Sequence, residues 1–240
     1  MIDIHMHVIP GVDDGSKNIV ESLKMIDAAI EQGVTHIVAT PHSYAFNYMQ
    51  YHAVLDSFVR LNNYVDRMQI PIVLMKGTEI ACYCESANDV INKLNKGVYW
   101  SMNDSKYVLV EFNPFGYTSD KYARDYIEMI HDAGYLPVIA HAERYPLVSL
   151  DTLQYVIDIN GIVQINAYSI VNESNVQTRE RARLLLDRHI VGALGSDAHR
   201  LNHRPPIVKD GVKYIKENYE AEYVRYVLYK NVKEKIFGEE

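Results

Sequence analysis

The chain has 240 residues, 48% of them hydrophobic, a formal net charge of −7 and two cysteines. That supplies one large core at a normal length for one α/β barrel, and the acidic balance argues against a broad electrostatic grip on nucleic acid. No apolar run approaches the ~20 residues of a membrane helix, and no basic-then-apolar leader opens the chain, so a cytoplasmic protein is expected.

The first predicted strand covers residues 2–7 and carries His5 and His7. Residues i and i+2 of a strand share a face, so these two can hold one ion between them. Ser16 reads as the N-cap of a helix marked by Ile19, Leu23, Ile26 and Ile30, which Gly33 ends. Residues 36–40 form the second strand, followed by His42 and by a polar, aromatic stretch, 43–50, read as a loop over the barrel mouth. Val54, Phe58, Leu61, Val65 and Met68 mark a helix, and residues 72–77 the third strand, with Glu79 just beyond it. Residues 107–112 make the fourth strand and include Glu111. A helix over 120–133 leads to the fifth, 136–140, which runs into His141. The sixth, 162–165, ends in Gln164-Ile165-Asn166 and offers only neutral polar groups there. A helix over 177–189 precedes the seventh, 190–194, which delivers Asp197 and His199 at spacing two. The tail after Pro206 reads as one or two helices with Tyr219, Tyr223 and Tyr226 as a core-packing stripe.

Seven strands alternating with helices, roughly 25–36 residues apart, imply an α/β barrel of mostly parallel strands. No linker or low-complexity tract divides it, so residues 1–240 are expected to be one domain. Barrel chemistry sits at the C-terminal ends of the strands. His5, His7, Asp14, His42, Glu79, Glu111, His141, Asp197 and His199 all fall at or just past such ends. Nine ionisable groups aimed at one mouth would carry a high repulsive and desolvation cost without cations. They exceed what one ion can use, so two or three ions are expected, with Glu79 as the bridging carboxylate. Nitrogen and oxygen donors without thiolate suit Mn, Fe or Zn. His36, His52, His131, His189 and His203 lack this placement and read as ordinary residues, although His203 stands beside Arg204.

Cys82 and Cys84 fit neither a structural zinc knuckle nor a disulfide in a reducing compartment. A Cys-x5-Arg phosphatase loop would need arginine at 88 or 90, where the chain has Asn88 and Val90. Both thiols are expected to be inert.

His5-x-His7, Asp13-Asp14-Gly15, Ala-Thr-Pro-His42, Gly-Thr-Glu79, His141-x-Glu143-Arg144-Tyr145 and Gly-Ser-Asp197-Ala-His199 occur in order along the whole chain. In these motifs the chain resembles the polymerase-and-histidinol-phosphatase (PHP) family. The opening His7-Val-Ile-Pro-Gly-Val-Asp-Asp-Gly15 run and Arg204-Pro-Pro are most similar to one branch, the bacterial manganese-dependent tyrosine-protein phosphatases of capsule and exopolysaccharide loci. The resemblance implies a distorted (β/α)7, TIM-like barrel with a trinuclear centre. It would place His5, His7, Glu79 and Asp197 on the first ion, Glu79, Glu111 and His141 on the second, and Asp14, His42 and His199 on the third. It also implies that Arg144 and Arg204 bind phosphate, and that the partner is the tyrosine-rich tail of a bacterial tyrosine kinase. The segment 113–117 matches no fixed motif of that branch.

Water shared between divalent ions becomes a hydroxide nucleophile near neutral pH, and arginine forks grip phosphate. For Arg144 the plainer reading is an ion pair with Asp13, Asp14 or Glu143; for Arg204 it is a surface residue before a turn. The expected function is phosphotyrosine hydrolysis, with a histidinol-phosphatase-like small-molecule phosphomonoesterase as one alternative. The other is a non-catalytic, metal-bearing phosphopeptide-binding regulator. Reference histidine pKa values near ~6.5 put the loss of activity below roughly pH 6.

Overall fold

The computed structural model describes residues 1–48, 51–113 and 117–239. Residues 49–50 of the expected mouth loop, and 114–116 in the segment that matches no motif, lie outside these. Strands β1 (Ile2–Met6), β2 (His36–Ala39) and β3 (Val73–Lys76) pair in parallel in that order. Strands β4 (Glu79–Ala81), β5 (Tyr107–Glu111), β6 (Leu136–Ile139), β7 (Ile162–Asn166) and β8 (Ala193–Gly195) form a second parallel run.

Both seams between the runs are stitched by backbone hydrogen bonds. At one, Glu79 N donates to Pro41 O at 3.0 Å and Ser43 N to Glu79 O at 2.8 Å. At the other, Asp197 N donates to His5 O at 2.8 Å and His7 N to Ala198 O at 2.9 Å. The architecture is a distorted TIM-like barrel of the PHP type, and its third strand is broken in two. The expected strand at 72–77 ends at Lys76, and Glu79, expected just past it, opens β4 instead.

Helices α1 (Ile19–Glu31), α3 (Tyr51–Arg67), α5 (Asp120–Asp132), α7 (Val176–Asp187) and α8 (Lys209–Asn218) fall where the apolar periodicity placed them. Helices α4 (Ala87–Asn95) and α6 (Leu150–Asp158) are additional; each starts from a serine N-cap, Ser86 and Ser149. Two expectations need correction. Asn18, not Ser16, caps α1, accepting from Glu21 N at 3.0 Å, while Ser16 is buried against Ser22 Oγ at 2.8 Å. The 43–50 stretch is not all loop, because Tyr44–Tyr48 form the short helix α2. After α8 the tail continues through α9 (Ala221–Arg225) and π-helical turns to Phe237, with Tyr223 buried and Tyr219 and Tyr226 packed beside the core.

One face of the strands fills the barrel's lower interior. Val38, Met75, Leu109, Val138, Ile162 and Ala193 meet Ile2 and Ile4 there, closed beneath by Val232 and Ile236 from the tail. Along β7 and β8 the period of two carries this inward face up to Gln164, Asn166 and Asp197. In β1 it does not, since Ile4 and His5 both face inward. The pairing of β1 with β2 shifts register between Asp3 and Met6. That bulge re-aims the end of the strand, as bulges do beside functional sites, and turns His5 and His7 into the mouth above Ile2 and Ile4.

Gly195 makes the β1–β8 seam possible. A Cβ there would lie 2.7 Å from His5 Cβ and 2.9 Å from Gln164 Nε2. Gly195→Ala is expected to destabilise the protein by about 1–3 kcal/mol through overpacking. The check is the midpoint of denaturant unfolding, and an unchanged midpoint would mean that the seam tolerates the methyl group.

Candidate metal centre

The barrel mouth brings all nine predicted ligand side chains together. Glu79 lies at the middle. Its Oε1 is 3.1 Å from both His5 Nε2 and His141 Nε2, and its Oε2 is 3.2 Å from His7 Nε2 and 2.9 Å from His42 Nδ1. Asp197 Oδ1 approaches His5 and His7 at 3.6 and 3.7 Å. Glu111 stands 3.4 Å from His141. Asp14 contacts His42 at 3.5 Å and His199 at 3.4 Å. Asp14 is the exposed member of the set, its side chain 51% accessible, whereas His5, His7, Glu79, Glu111, His141, Asp197 and His199 are buried.

Four of the five imidazoles have a partner on Nδ1, and the fifth, His42, faces Glu79 and Asp14 with its two nitrogens. His7 Nδ1 bonds Asp13 Oδ2 at 2.8 Å, and His5 Nδ1 bonds Gln164 Oε1 at 3.2 Å. His141 Nδ1 meets the Tyr145 hydroxyl at 2.9 Å, and His199 Nδ1 meets Asp197 O at 2.9 Å. The carboxylate, amide and carbonyl acceptors fix the tautomer and leave the Nε2 lone pair for a cation, while the Tyr145 hydroxyl orients its ring. Sequence reasoning gave Asp13, Gln164 and Tyr145 no such role. The signals were present: a second carboxylate beside Asp14, two amides at spacing two on an inward strand face, and a tyrosine four residues after His141. Gln164 also accepts from His141 N at 2.9 Å and donates to Asn166 Oδ1 at 2.9 Å, and Asn166 donates to Asp197 Oδ2 at 3.1 Å.

His141 lies one residue past an inward-facing Ala140 and would point outward in a regular strand. Its φ of 31° turns it back into the mouth. Asp197 and Arg204 also have left-handed backbones, each at φ 53°. Such residues cost roughly 1–3 kcal/mol each, cluster at active sites, and persist only where neighbours over-determine them.

The donor set suits cations. His5 Nε2 and His7 Nε2 face each other at 3.3 Å, and His199 Nε2 is buried with Asp14 Oδ1 3.4 Å away. Four overlapping groups each bring their ligand atoms within 4.8 Å of one another: His7-Asp14-His42-His199, His5-Glu79-His141, His5-His7-Asp197 and His42-Glu79-Glu111. These groups are consistent with two or three ions. Asp197 and His199 fall in different groups, although their spacing alone suggested a shared ion.

Without cations, neighbouring carboxylates favour the protonated forms of His7, His42 and His141. Burial opposes charge on His7, but Asp13 and Glu79 outweigh it and raise its pKa well above the ordinary value. Burial likewise opposes charge on His42, and Glu79 raises it. His141 is pushed up to about 9, against burial and Arg144, by Glu111 and Glu79. Burial would raise Glu79 and Asp197, yet His5 and His42 pull Glu79 well down, and Arg144 and His5 pull Asp197 down. His199 moves the other way, to about 4, through burial and the neighbouring His7. Cys82 is buried and its thiol pushed up by that burial; Cys84 is exposed, and both are unbridged.

Both predicted arginines reach the mouth, and both meet Asp197. Arg144 Nη2 lies 2.8 Å from Asp197 Oδ2, and Arg204 Nη1 3.3 Å from the same oxygen. Arg204 Nη2 also stands 3.7 Å from Asp14. Arg144 therefore pairs with none of Asp13, Asp14 or Glu143, and Arg204 is not a free surface residue. A groove of about 790 Å³ opens beside them, lined among others by Glu143, Tyr168 and His203.

A family model described as capsular polysaccharide synthesis, CpsB/CapC, matches residues 1–237. Tyrosine-protein phosphatase YwqE of Bacillus subtilis is 31% identical over 234 residues, covering 96% of this chain and 89% of YwqE. Tyrosine-protein phosphatase CpsB of Streptococcus pneumoniae is 30% identical over 247 residues, covering 100% and 99%. Among solved structures, a chain from the crystal structures of YwqE and CpsB, described as unique metal-dependent tyrosine phosphatases, superposes with a TM-score of 0.81. It covers 93% of this chain and 90% of that one at 29% identity. A β-aspartyl dipeptidase from Fervidobacterium islandicum AW-1 shares the fold, with a TM-score of 0.61 at 11% identity.

Two predictions come from the site. Metal uptake must displace protons from the raised histidines, so Mn²⁺ titrated into metal-free protein at pH 7 should release at least one proton, read by calorimetry in buffers of different ionisation enthalpy. Affinity should still be climbing toward pH 9, above the range that unperturbed histidines imply. A raised histidine stabilises the metal-free fold fully below its unfolded value near ~6.5 and loses that contribution as pH rises through its folded value. The melting temperature of the metal-free protein should therefore fall between pH 6.5 and 9; a flat profile would sink the assignment.

The second concerns Tyr44. Its hydroxyl accepts from Asp14 N at 3.1 Å and lies 3.3 Å from Asp14 Oδ1, and its ring stacks on His42 at 5.1 Å. Tyr44→Phe should weaken the outermost ion about tenfold or more, as loss of a ligand's outer partner does. Bound metal per protein, measured after dialysis, tests it.

Proposed function

The chain belongs to the CpsB/CapC family of capsular polysaccharide synthesis, and on that premise we propose that it removes phosphate from protein phosphotyrosine in a metal-dependent hydrolysis. The observation that carries this reading is the placement of two guanidinium groups at the open edge of a buried nine-ligand centre.

The proposal extends to the finer assignments. His5, His7, Glu79 and Asp197 would hold one ion, Glu79, Glu111 and His141 a second, and Asp14, His42 and His199 a third, with Glu79 the bridge. Glu79 supports that role by standing within 3.2 Å of four imidazoles. Manganese is the proposed metal, with iron or zinc as alternatives: nitrogen and oxygen donors suit all three, and the resemblance to manganese-dependent phosphatases favours the first. The natural substrate would be the tyrosine-rich tail of a bacterial tyrosine kinase, met in the cytoplasm. No helix among the described residues is long and apolar enough to cross a membrane. Residues 1–240 would act as one domain.

When bound, the ions supply acidified water and positive charge for the phosphoryl oxygens. The chain's own residues do the rest. Asp13 and Gln164 accept from Nδ1 and keep His7 and His5 in one tautomer, and Tyr145 orients the His141 ring. Arg144 and Arg204 meet an anion at the mouth; here it is the Asp197 carboxylate, and a phosphoryl group offers the same paired oxygens to a planar fork. As the new P–O bond to water oxygen forms, the bond to the tyrosine oxygen breaks. The leaving phenolate, with a pKa near ~10, departs without a strong acid and takes its proton from solvent.

Turnover should be measured on phosphotyrosine peptide, phosphoserine peptide and histidinol phosphate with Mn²⁺ present. Phosphotyrosine peptide should be preferred, and stringent chelation should abolish the activity. Preference for histidinol phosphate would move the protein to small-molecule hydrolysis, and phosphopeptide binding without phosphate release would make it a regulator. Arg144→Ala and Arg204→Ala should each lower kcat/KM about a hundredfold, the scale of losing one charge-stabilising donor. Wild-type kinetics in either variant would remove that arginine from the site.

A further inference from the structure

The groove beside Asp197 is larger than phosphate recognition requires. At about 790 Å³ it falls in the upper part of the ~300–1,000 Å³ range that takes whole drug-sized ligands. Arg144 and Arg204 stand at its inner end, where the reacting phosphate belongs. The remaining lining comes from the segments that follow β6, β7 and β8, and includes Glu143, Tyr168, Asn172 and Gln177.

Three observations say what this lining accepts. Tyr168 is 44% exposed and rides on the 3-10 turn Ala167–Ile170, which is held from two sides. Gly211 of α8 lies so close to that turn that a Cβ would collide with the Ala167 carbonyl, and Arg183 Nε donates to Ile170 O at 3.0 Å. An aromatic ring on a fixed support gives contact area at little entropic cost, as binding anchors do.

Glu143 is the second observation. It is buried, 1% exposed, and lines the groove. Its Oε1 accepts from Asn166 N at 3.1 Å, while Oε2 has no hydrogen-bond partner among the described residues. Leaving a buried acceptor unpaired is costly, and a peptide N–H is a donor of the right kind.

The third is charge. No lysine lines the groove, Arg144 and Arg204 face Asp197, and Arg181 is turned onto the carbonyls of Ala142 and Val148. Apart from Glu143, Arg181 and His203, the rest of the lining is amide, hydroxyl, aromatic and apolar, which matches a polypeptide better than a second anion.

We propose that this groove is a peptide subsite for the residues flanking the phosphotyrosine, with Tyr168 as its specificity-determining contact and Glu143 as the acceptor for a backbone N–H. The proposal rests on the phosphotyrosine-protein reading above.

The test compares manganese-loaded wild type with Tyr168→Ala and Tyr168→Phe. The substrates are a phosphotyrosine peptide with several residues on each side and p-nitrophenyl phosphate. In Tyr168→Ala the kcat/KM for peptide should fall about tenfold relative to that for the small ester, mainly through KM, and Tyr168→Phe should restore most of it. In the wild type, KM should fall as residues are added to one side of the phosphotyrosine and then level off. Equal changes on both substrates, or a KM independent of peptide length, would overturn the groove and leave the phosphatase reading standing. A wild type that turns over the small ester but no phosphopeptide would overturn both.

Discussion

Glu79 is a buried carboxylate within 3.2 Å of four imidazoles, and the mouth of the barrel is organised around keeping that group charged in the absence of water. A lone carboxylate in such a place would be neutralised by its own desolvation. Glu79 is instead pulled well down by His5 and His42 against that burial. The irregularities of the barrel all serve this arrangement. The bulge in β1 brings His5 and His7 round, the break after β3 lets Glu79 start a new strand, and the left-handed turn at His141 brings a fourth ring to the same carboxylate.

Much of this was legible in the sequence, for a physical reason. Parallel strands buried on both faces read as short apolar runs, and ionisable residues at their ends stand out against them. The seven runs, and the nine residues the mouth gathers, were visible on that basis. What stayed hidden was local geometry. Alternation alone would put His5 in line with Asp3, not above Ile4, because a bulge leaves no mark in residue type. His141 would point outward by the same rule. Ser16 and Asn18 are both good caps, and only the path of the backbone decides between them. The partners of Arg144 were also out of reach, since Asp197 lies 53 positions further on in sequence yet 2.8 Å away in space.

The mouth has two unlike sides. On one, Asp14 is half exposed and steadied by Tyr44, so the outermost part of the centre opens to solvent through a single carboxylate and a single ring. On the other, Asp197 is buried beneath two guanidiniums, and the groove leads away from it. Asn166 and Gln164, both buried, tie His5, His141 and Asp197 into one hydrogen-bonded row.

The seam between β1 and β8 carries a consequence for how the protein is made. Asp197 and His199 leave the ribosome some 190 residues after His5 and His7. Synthesis at ~5–20 residues per second separates the two halves of the centre by roughly ten seconds or more. During that interval the growing chain displays a histidine pair but no completed cage, and a stray ion has no full set of donors to settle in. Ring closure and cage completion are the same event, because the backbone bonds of Asp197 and Ala198 to β1 are what bring the last ligands in. Long-range closure of this kind is slow to nucleate, and the ions reward only the chain that has finished it.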